Sequence, residues 1–210
     1  MPQFLPSTDP HIARKYAMGT LDQKVQNKTA LQRDLGWPAE PRRLMLCLPL
    51  GMTDKLGGPL LLETLPGILS LPLEILVLGK GSEKFGAVFT KLAKDHPHRV
   101  HIVAENEKEI HTMLAAADAA LFLADASRTE ELTHCLQYGV VPLAPAGTQG
   151  VDDYDPVQET GNAFLFEAPL VWNVFGSLVR AMETYKFPFD WRTIQRHAME
   201  STIRGSRKPD

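Results

Sequence analysis

The sequence has few cysteines and no excess of positive charge. Its two thiols among 210 residues, Cys47 and Cys135, are far apart and each lies in an apolar stretch. This spacing is neither a disulfide framework nor a metal-binding motif, and it fits a reducing compartment. The formal net charge of −3 argues against a nucleic-acid-binding surface, which needs an excess of lysine and arginine.

Long hydrophobic runs are also missing. No apolar stretch approaches the ~20 residues that a membrane span needs, so no membrane contact is expected. The first residues, Met1-Pro-Gln-Phe4, lack the basic region and apolar core of a signal peptide. We therefore expect a cytoplasmic protein.

One group of histidines, His96, His98 and His101, has a spacing that could hold a metal ion. A metal site also needs carboxylate or thiolate ligands. The histidines lie where a loop feeds a predicted strand, with alternate side chains exposed. We therefore predict no metal site.

Short apolar runs alternate with amphipathic segments from residue 41 onward. The run Leu44–Leu48 is apolar throughout, which is typical of a strand buried on both faces. Further strands are predicted at 73–78, 100–104, 119–123, 140–144 and 163–166, and helices at 59–69, 82–94, 107–117, 129–137, 169–185 and 190–199. This order predicts an α/β fold, a doubly wound parallel sheet of the Rossmann-like type. Residues 1–40 are expected to be an irregular segment and a helix that pack on residues 41–210, which makes one domain overall.

Ligands of such sheets bind at the carboxyl ends of the strands. The loops at that edge are predicted at 49–58, 79–82, 105–108, 124–131 and 144–153. Gly79-Lys80-Gly81 follows a strand and precedes a helix, so Lys80 can meet an anion at the helix N-terminus. An ordinary turn is the alternative.

Several motifs follow one another along the chain: LPSTDP at 5–10, NKTALQ at 27–32, MTD at 52–54, LLLETLP at 60–66, VLGKG at 77–81, GNAFLF at 161–166 and WRTIQRHAM at 191–199. In this order and spacing they resemble the C-terminal half of bacterial glycogen synthase and plant starch synthase. The resemblance covers nearly the whole chain. It implies the nucleotide-sugar-binding half of a GT-B glycosyltransferase, a retaining enzyme that transfers glucose to an α-glucan.

The resemblance also implies ADP or ADP-glucose as the ligand, with no other cofactor. The candidate binding residues lie in the loops that match the family's nucleotide site, and they are Gly51, Thr53, Asp54, Gly79, Lys80, Gly147 and Thr148. Backbone N–H contacts survive the loss of side chains, so Gly51, Gly79 and Gly147 are expected to line any remaining site.

The first departure from the family falls in the loop after the first strand. The family has an arginine and a lysine there, which stabilise the charge on the departing diphosphate. Gly51 and Leu56 stand in their places, and Lys55 lies one residue from the lysine position. Restoring the cations with Gly51→Arg and Leu56→Lys is expected to raise the affinity for nucleoside diphosphates if the pocket keeps its shape.

Three more departures concern the sugar, base and phosphate contacts. The turn that presents the family's glutamate to the donor sugar is missing. Glu130 or Glu131 can supply a carboxylate in its place. Alternatively, both lie in the first turn of the next helix, where the helix dipole stabilises them. Glu105 replaces the tyrosine that stacks on the base, and its charge disfavours phosphates. The phosphate loop reads AGTQG at 146–150 and is followed by two aspartates.

Together these departures predict a pseudoenzyme that acts as a binding or regulatory module. Lys55, Glu130 and Glu131 are the remaining candidates for catalytic groups. The family's N-terminal half is not in this sequence, so two alternatives stay open. One is a glycosyltransferase subunit that a separate N-terminal half completes, with Lys55, Lys80 and Glu130 replacing the lost groups. The other is a structural protein that self-associates. The expected partners are accordingly an α-glucan, a protein in place of the missing half, or a second copy.

Aromatic residues mark the last two predicted helices. One set has helical spacing and is predicted to lie in the core: Trp172, Phe175, Met182 and Tyr185. In the family the last helix packs on the N-terminal domain. A second set is therefore predicted to be exposed and to attract a partner: Phe187, Phe189 and Trp191.

Overall fold

A computed structural model of the chain describes residues 5–205. Residues 1–4 of the predicted N-terminal segment lie outside this range. The strands are β1 (Leu44–Leu48), β2 (Leu73–Leu78), β3 (Val100–Val103), β4 (Ala119–Leu121), β5 (Val141–Pro145) and β6 (Phe164–Phe166). The helices are α1 (Lys24–Asp34), α2 (Gly58–Ser70), α3 (Glu83–Asp95), α4 (Glu107–Ala116), α5 (Glu130–Gln137), α6 (Val171–Tyr185) and α7 (Pro188–Gly205). Two 3₁₀ turns span Met18–Gln23 and Asp54–Leu56.

All six strands run parallel, in the order β3-β2-β1-β4-β5-β6. Leu46 of β1 pairs with Ile75 of β2 on one side and with Ala119 of β4 on the other. The order reverses between β1 and β4, and the crevice outside the carboxyl ends of those strands is where ligands of such sheets bind. The predicted doubly wound sheet is confirmed.

Successive side chains of β1 point to opposite faces of the sheet, and the core has one layer on each face. Met45 and Cys47 face the layer covered by α1, α4 and α5, whereas Leu44, Leu46 and Leu48 face the layer covered by α2, α3 and α6. Helix α7 contributes to both layers. Because helices cover both faces, the strands are buried on both sides, which explains their continuous apolar sequences.

Helix α1 is fixed to the sheet by buried polar side chains. Lys28 forms an ion pair of 2.5 Å with Asp118, which also accepts a hydrogen bond from the backbone N–H of Met45 on β1. The Gln32 amide donates to both carboxyl oxygens of Glu74 on β2, at 2.9 Å each. The N-terminal segment therefore contacts the central strands directly.

The aromatic predictions for the last helices are partly wrong. Trp172 is 80 % exposed, because the buried face of α6 is formed by Val174, Ser177, Leu178 and Ala181 instead. Trp191 is buried, stacked on Phe164 with the ring planes 14° apart. Phe187 and Phe189 are exposed, as predicted.

Candidate functional site

A cleft of about 180 Å³ lies at the carboxyl edge of the sheet. Its floor is apolar, and its rim carries ionisable side chains from the β2–α3 loop, the β3–α4 loop and the first two turns of α5. The floor is formed by Pro49, Leu78, Ile110, Met113 and Leu114, and the rim by Lys80, Glu105, Glu130, Glu131 and His134. The topology therefore brings together residues that are more than 50 positions apart in the sequence.

The Lys80 ammonium lies between two carboxylates. Its Nζ is 3.5 Å from Oε1 of Glu105 and 3.8 Å from Oε1 of Glu131. Both separations exceed the length of a direct hydrogen bond, so neither carboxylate is satisfied by this ammonium. The residue that the sequence offered as an anion ligand is thus directed at the carboxylates.

The rim has an excess of negative charge. Glu130 and Glu131 lie in the first turn of α5, as the alternative interpretation of the sequence has it, and the Thr129 hydroxyl caps that helix by accepting from the Leu132 N–H. Burial lowers the pKa of His134, although the adjacent Glu130 and Glu131 carboxylates act in the opposite direction. A histidine with a pKa below its usual value adds little positive charge at neutral pH, which leaves Lys80 facing three glutamates.

The loops after β1 and β2 are joined backbone to backbone. The Met52 N–H donates to the Lys80 carbonyl at 3.1 Å, and the Ser82 N–H donates to the Met52 carbonyl at 3.1 Å. The N–H groups of Gly51 and Gly79 donate to the carbonyls of Leu48 and Val103. The predicted phosphate-binding amides of these loops are therefore engaged within the protein.

Close approach of the two loops also explains the glycine at position 51. Gly51 has φ +63°, and a Cβ placed on it would lie 1.9 Å from the Lys80 carbonyl oxygen. An arginine at this position would therefore force the two loops apart. The expectation that Gly51→Arg restores a phosphate ligand in an unchanged pocket conflicts with this geometry.

The other candidates in the first loop do not line the cleft. The Thr53 hydroxyl accepts a hydrogen bond from the Leu56 N–H and so caps the 3₁₀ turn. Asp54 is exposed and forms an ion pair of 2.9 Å with Lys84 of α3. Lys55 is exposed at the end of the turn, and neither it nor Asp54 lines the cleft.

The loop that follows β5 is tied down by its polar side chains. The Thr148 hydroxyl is buried and donates to the Pro145 carbonyl at 2.8 Å. The Gln149 N–H donates to the hydroxyl of Ser127, which in turn contacts the Asp125 carboxylate. Gly147 has φ +88° and open space around its Cα, but it does not line the cleft.

Within the described residues, a polar hollow against α7, metal-binding clusters and membrane-spanning helices do not contribute to this cleft. A larger polar hollow of about 440 Å³ lies against α7, lined by His197, Glu200, Asn162 and neighbouring residues, and it contains none of the predicted site residues. Within residues 5–205, no three histidine, cysteine or acidic side chains are grouped as a metal site requires. No helix in that range combines the length and the apolar character that a membrane crossing needs.

The sequence places the loops that carry Lys80, Glu105, Glu130 and Glu131 at one sheet edge, but it does not predict the ion pairs of Lys80 with Glu105 and Glu131. The available signal was that each charge directly follows a strand or begins the helix after one, because such positions converge at one sheet edge. His134 was missed as a rim residue. Its position one turn after Glu130 on a helix whose first turn faces the ligand edge pointed to it.

No family model matches the chain. It is 31 % identical over 207 residues to the glycogen synthase of Gloeobacter violaceus, an alignment that covers 94 % of this chain and 44 % of that protein. The glycogen synthase of Aromatoleum aromaticum is 29 % identical over 205 residues, which cover 92 % of this chain and 41 % of the relative. The chain therefore spans less than half the length of these relatives.

Solved structures show the same fold. The catalytic domain of starch synthase IV from Arabidopsis thaliana, bound to ADP and acarbose, superposes with a TM-score of 0.81 at 21 % identity, over 97 % of this chain and 45 % of that one. The C-terminal domain of a group 1 glycosyl transferase, LpcC from Francisella tularensis, gives a TM-score of 0.63 at 12 % identity and covers 88 % of this chain and 95 % of that one.

Proposed function

We propose, from the premise that this chain corresponds to the C-terminal half of the glycogen synthases, that its cleft does not bind a nucleotide sugar and that it serves as a non-catalytic binding or regulatory module. One observation carries the proposal. The ammonium of Lys80 lies between Glu105 and Glu131 at the sheet edge where a ligand of this fold binds.

Charge opposes a diphosphate in this cleft. Three glutamates and one lysine surround it, and a nucleoside diphosphate would bring further negative charge among them. Like charges a few ångströms apart disfavour each other's ionised forms. Salt only partly screens this repulsion between the glutamates and a diphosphate, because the floor of the cleft is apolar.

The backbone offers little compensation. A phosphate bound to this type of sheet is usually held by free N–H groups in the loop before a helix. The amides of Gly51, Met52, Gly79 and Lys80 all donate to carbonyls of this chain. A phosphate would have to replace those bonds, and it would find no arginine at position 51.

Catalysis of glucosyl transfer needs a stabilised leaving group. Removing a single preorganised donor from an enzyme's charge-stabilising site typically costs a factor of about 10²–10³ in rate. Here the first loop has glycine at position 51 and leucine at position 56, where the family resemblance predicts cations, and Lys55 is exposed outside the cleft. Glu130 and Glu131 serve as first-turn residues of α5.

Calorimetric titration at low salt with ADP and ADP-glucose tests the proposal. We expect no heat of binding at millimolar ligand, and no transfer of glucose to an α-glucan, with the Gloeobacter violaceus glycogen synthase assayed in parallel. A dissociation constant in the micromolar range, about −8 kcal/mol, would contradict the proposal. In that case the search would turn to a separate chain that completes the enzyme. An α-glucan or protein partner remains a prediction.

A further inference from the structure

The polar hollow of about 440 Å³ lies between helix α7 and the loop that joins β5 to β6. Its volume is within the ~300–1,000 Å³ that is typical of small-molecule sites. It shares no lining residue with the cleft at the carboxyl edge of the sheet. The loop contributes Asp152, Thr160 and Asn162 to its lining, and the helix contributes His197, Glu200 and Ser201.

One buried side chain holds the loop wall of this hollow in place. Asn162 is 5 % exposed, and its Oδ1 accepts a hydrogen bond of 2.8 Å from the Asp152 N–H. Its Nδ2 donates to the Gly150 carbonyl at 3.2 Å, and the Asp152 carbonyl accepts from the N–H groups of Asn162 and Ala163. A wall that is fixed in this way loses little conformational freedom when a ligand binds.

The helix wall of the hollow offers hydrogen-bond acceptors. Nδ1 of His197 lies 3.0 Å from the Gly161 carbonyl. Because a carbonyl can only accept, the neutral ring carries its proton on Nδ1 and offers Nε2 as an acceptor. The Ser201 hydroxyl donates to the Ala198 carbonyl at 2.7 Å and keeps its lone pairs. A ligand on this side must therefore supply donors.

Two carboxylates add further acceptors. Asp152 is exposed, and its carboxylate forms no ion pair or hydrogen bond within residues 5–205. Glu200 approaches Arg196 with an N–O distance of 3.9 Å, which is longer than a hydrogen bond. The two negative charges disfavour an anion. In the same range no three histidine, cysteine or acidic side chains converge as a metal ion requires, so the acceptors suit a ligand whose donors are distributed over its skeleton.

We propose that this hollow binds a neutral ligand with several adjacent hydroxyl groups, an acyclic polyol or a sugar, and that Asp152 and His197 accept hydrogen bonds from those hydroxyls. A hydroxyl of the ligand can in turn accept from the Thr160 hydroxyl. The inference goes beyond the proposed function, because it concerns a surface apart from the cleft. Its test and the ADP titration therefore succeed or fail separately.

Amide chemical shifts of the full chain, recorded during titration with sorbitol and separately with glucose, test the inference. We expect saturable shifts of the Gly150, Asn162 and Ser201 amides, and the more effective probe distinguishes an open-chain polyol from a sugar ring. Asp152→Asn is expected to weaken binding about tenfold, because a hydrogen bond to a charged group is lost. Asp22→Asn removes another exposed carboxylate, outside the hollow, and should bind like the wild type.

A second pair of variants tests the hollow itself. Ser201→Trp places a large side chain in the hollow and should abolish the saturable shifts. Ile203→Trp is the matched control, since position 203 is on the same helix, 48 % exposed and outside the hollow, and it should bind like the wild type. Unchanged amide signals away from the substitution show that each variant is folded. Because the ligand is neutral, its affinity should be the same at low salt and at about 0.3 M salt.

Several results would overturn the inference. The first is that neither sorbitol nor glucose shifts the amides of the hollow in the wild type. The second is that Asp152→Asn binds as tightly as Asp22→Asn, or that Ser201→Trp and Ile203→Trp behave alike. Tighter binding of ethylammonium than of either probe would also overturn it, since the two carboxylates would then form a cation site.

Discussion

At the scale of single residues, the glycines of the carboxyl edge have structural roles. Gly51 and Gly81 lie where two loops touch, and a Cβ on either would fall about 2 Å from a carbonyl oxygen of the opposite loop. A side chain at position 51 and the close pairing of the two loops thus exclude each other.

Replacing Gly51 with alanine should cost more stability than replacing a glycine of the same backbone conformation in open space. Gly36 is the matched control, because its φ is +68° and a Cβ added to it would have no neighbour within 4 Å. Gly36→Ala is expected to cost about 1 kcal/mol for the left-handed conformation alone. Gly51→Ala is expected to cost about 1–3 kcal/mol more, because the loops must separate. Urea denaturation measures both, and equal costs would show that the loops separate freely.

At the scale of secondary-structure elements, most of the fold was predictable. Short apolar runs predict the strands, and the intervening helices predict their parallel arrangement. The strand order was not predictable, since each apolar run can pair with any other. Helical spacing does not predict the buried face of α6, because Trp172 is exposed and Phe175 is only half-buried. Likewise, the convergence of Glu105 with Lys80 depends on the order of β2 and β3 in the sheet.

The attachment of α1 was the least predictable element contact. Its buried face carries Lys24, Asn27, Lys28 and Gln32, so hydrophobic periodicity gives little indication of which side packs inward. Lys24, Lys28 and Gln32 find partners on elements far along the chain, whereas Asn27 bonds to the backbone of Arg14. Lys28 reaches Asp118 and the Tyr185 hydroxyl, and it also donates to the backbone carbonyls of residues 41 and 43.

Removing one partner of the buried Lys28–Asp118 pair should destabilise the protein strongly. Asp118→Asn leaves the Lys28 ammonium without its counter-charge, at an expected cost of about 3–5 kcal/mol. The double variant Lys28→Met with Asp118→Asn should cost less than the sum of the two single variants, because no buried charge is left unpaired. Lys186→Met breaks the exposed ion pair with Glu183 and serves as the control, with an expected cost below about 1 kcal/mol. Additive single and double variants would show that the pair is not coupled.

At the scale of the whole molecule, two buried ionisable groups couple folding to pH in opposite directions. Burial raises the pKa of Glu74 from 4.5 to about 7, although hydrogen bonds from Gln32 act against it. Burial lowers the pKa of Lys24 from 10.5 to about 7, even though its ammonium donates to the carbonyls of Leu114 and Ala115. Both groups lie between the N-terminal segment and the rest of the molecule, so their titration affects how firmly that segment is held.

The state that holds the proton, folded or unfolded, determines whether stability rises or falls with pH. Between pH 4.5 and 7 the folded protein keeps the Glu74 proton that the unfolded chain has lost, so stability falls as the pH rises. Between pH 7 and 10.5 the unfolded chain keeps the Lys24 proton that the folded protein has lost, so stability rises with pH. Each group contributes a slope of up to about 1.4 kcal/mol per pH unit. Together they predict a minimum near pH 7 in the part of the stability that these two groups control.

Comparing the unfolding free energies of the wild type and of a variant lacking one of these two groups separates that group's contribution from those of the other titrating groups. The free energy of unfolding of the wild type minus that of Glu74→Gln should decrease from about pH 5 to 7 and then level off. The same difference for Lys24→Met should stay level below pH 7 and increase toward about pH 9, since methionine keeps the length of the side chain without its charge. Urea denaturation at closely spaced pH values supplies both curves. Two flat curves would show that Glu74 and Lys24 titrate in the folded protein as they do in the unfolded chain, and that water reaches both groups through the contact between α1 and the sheet.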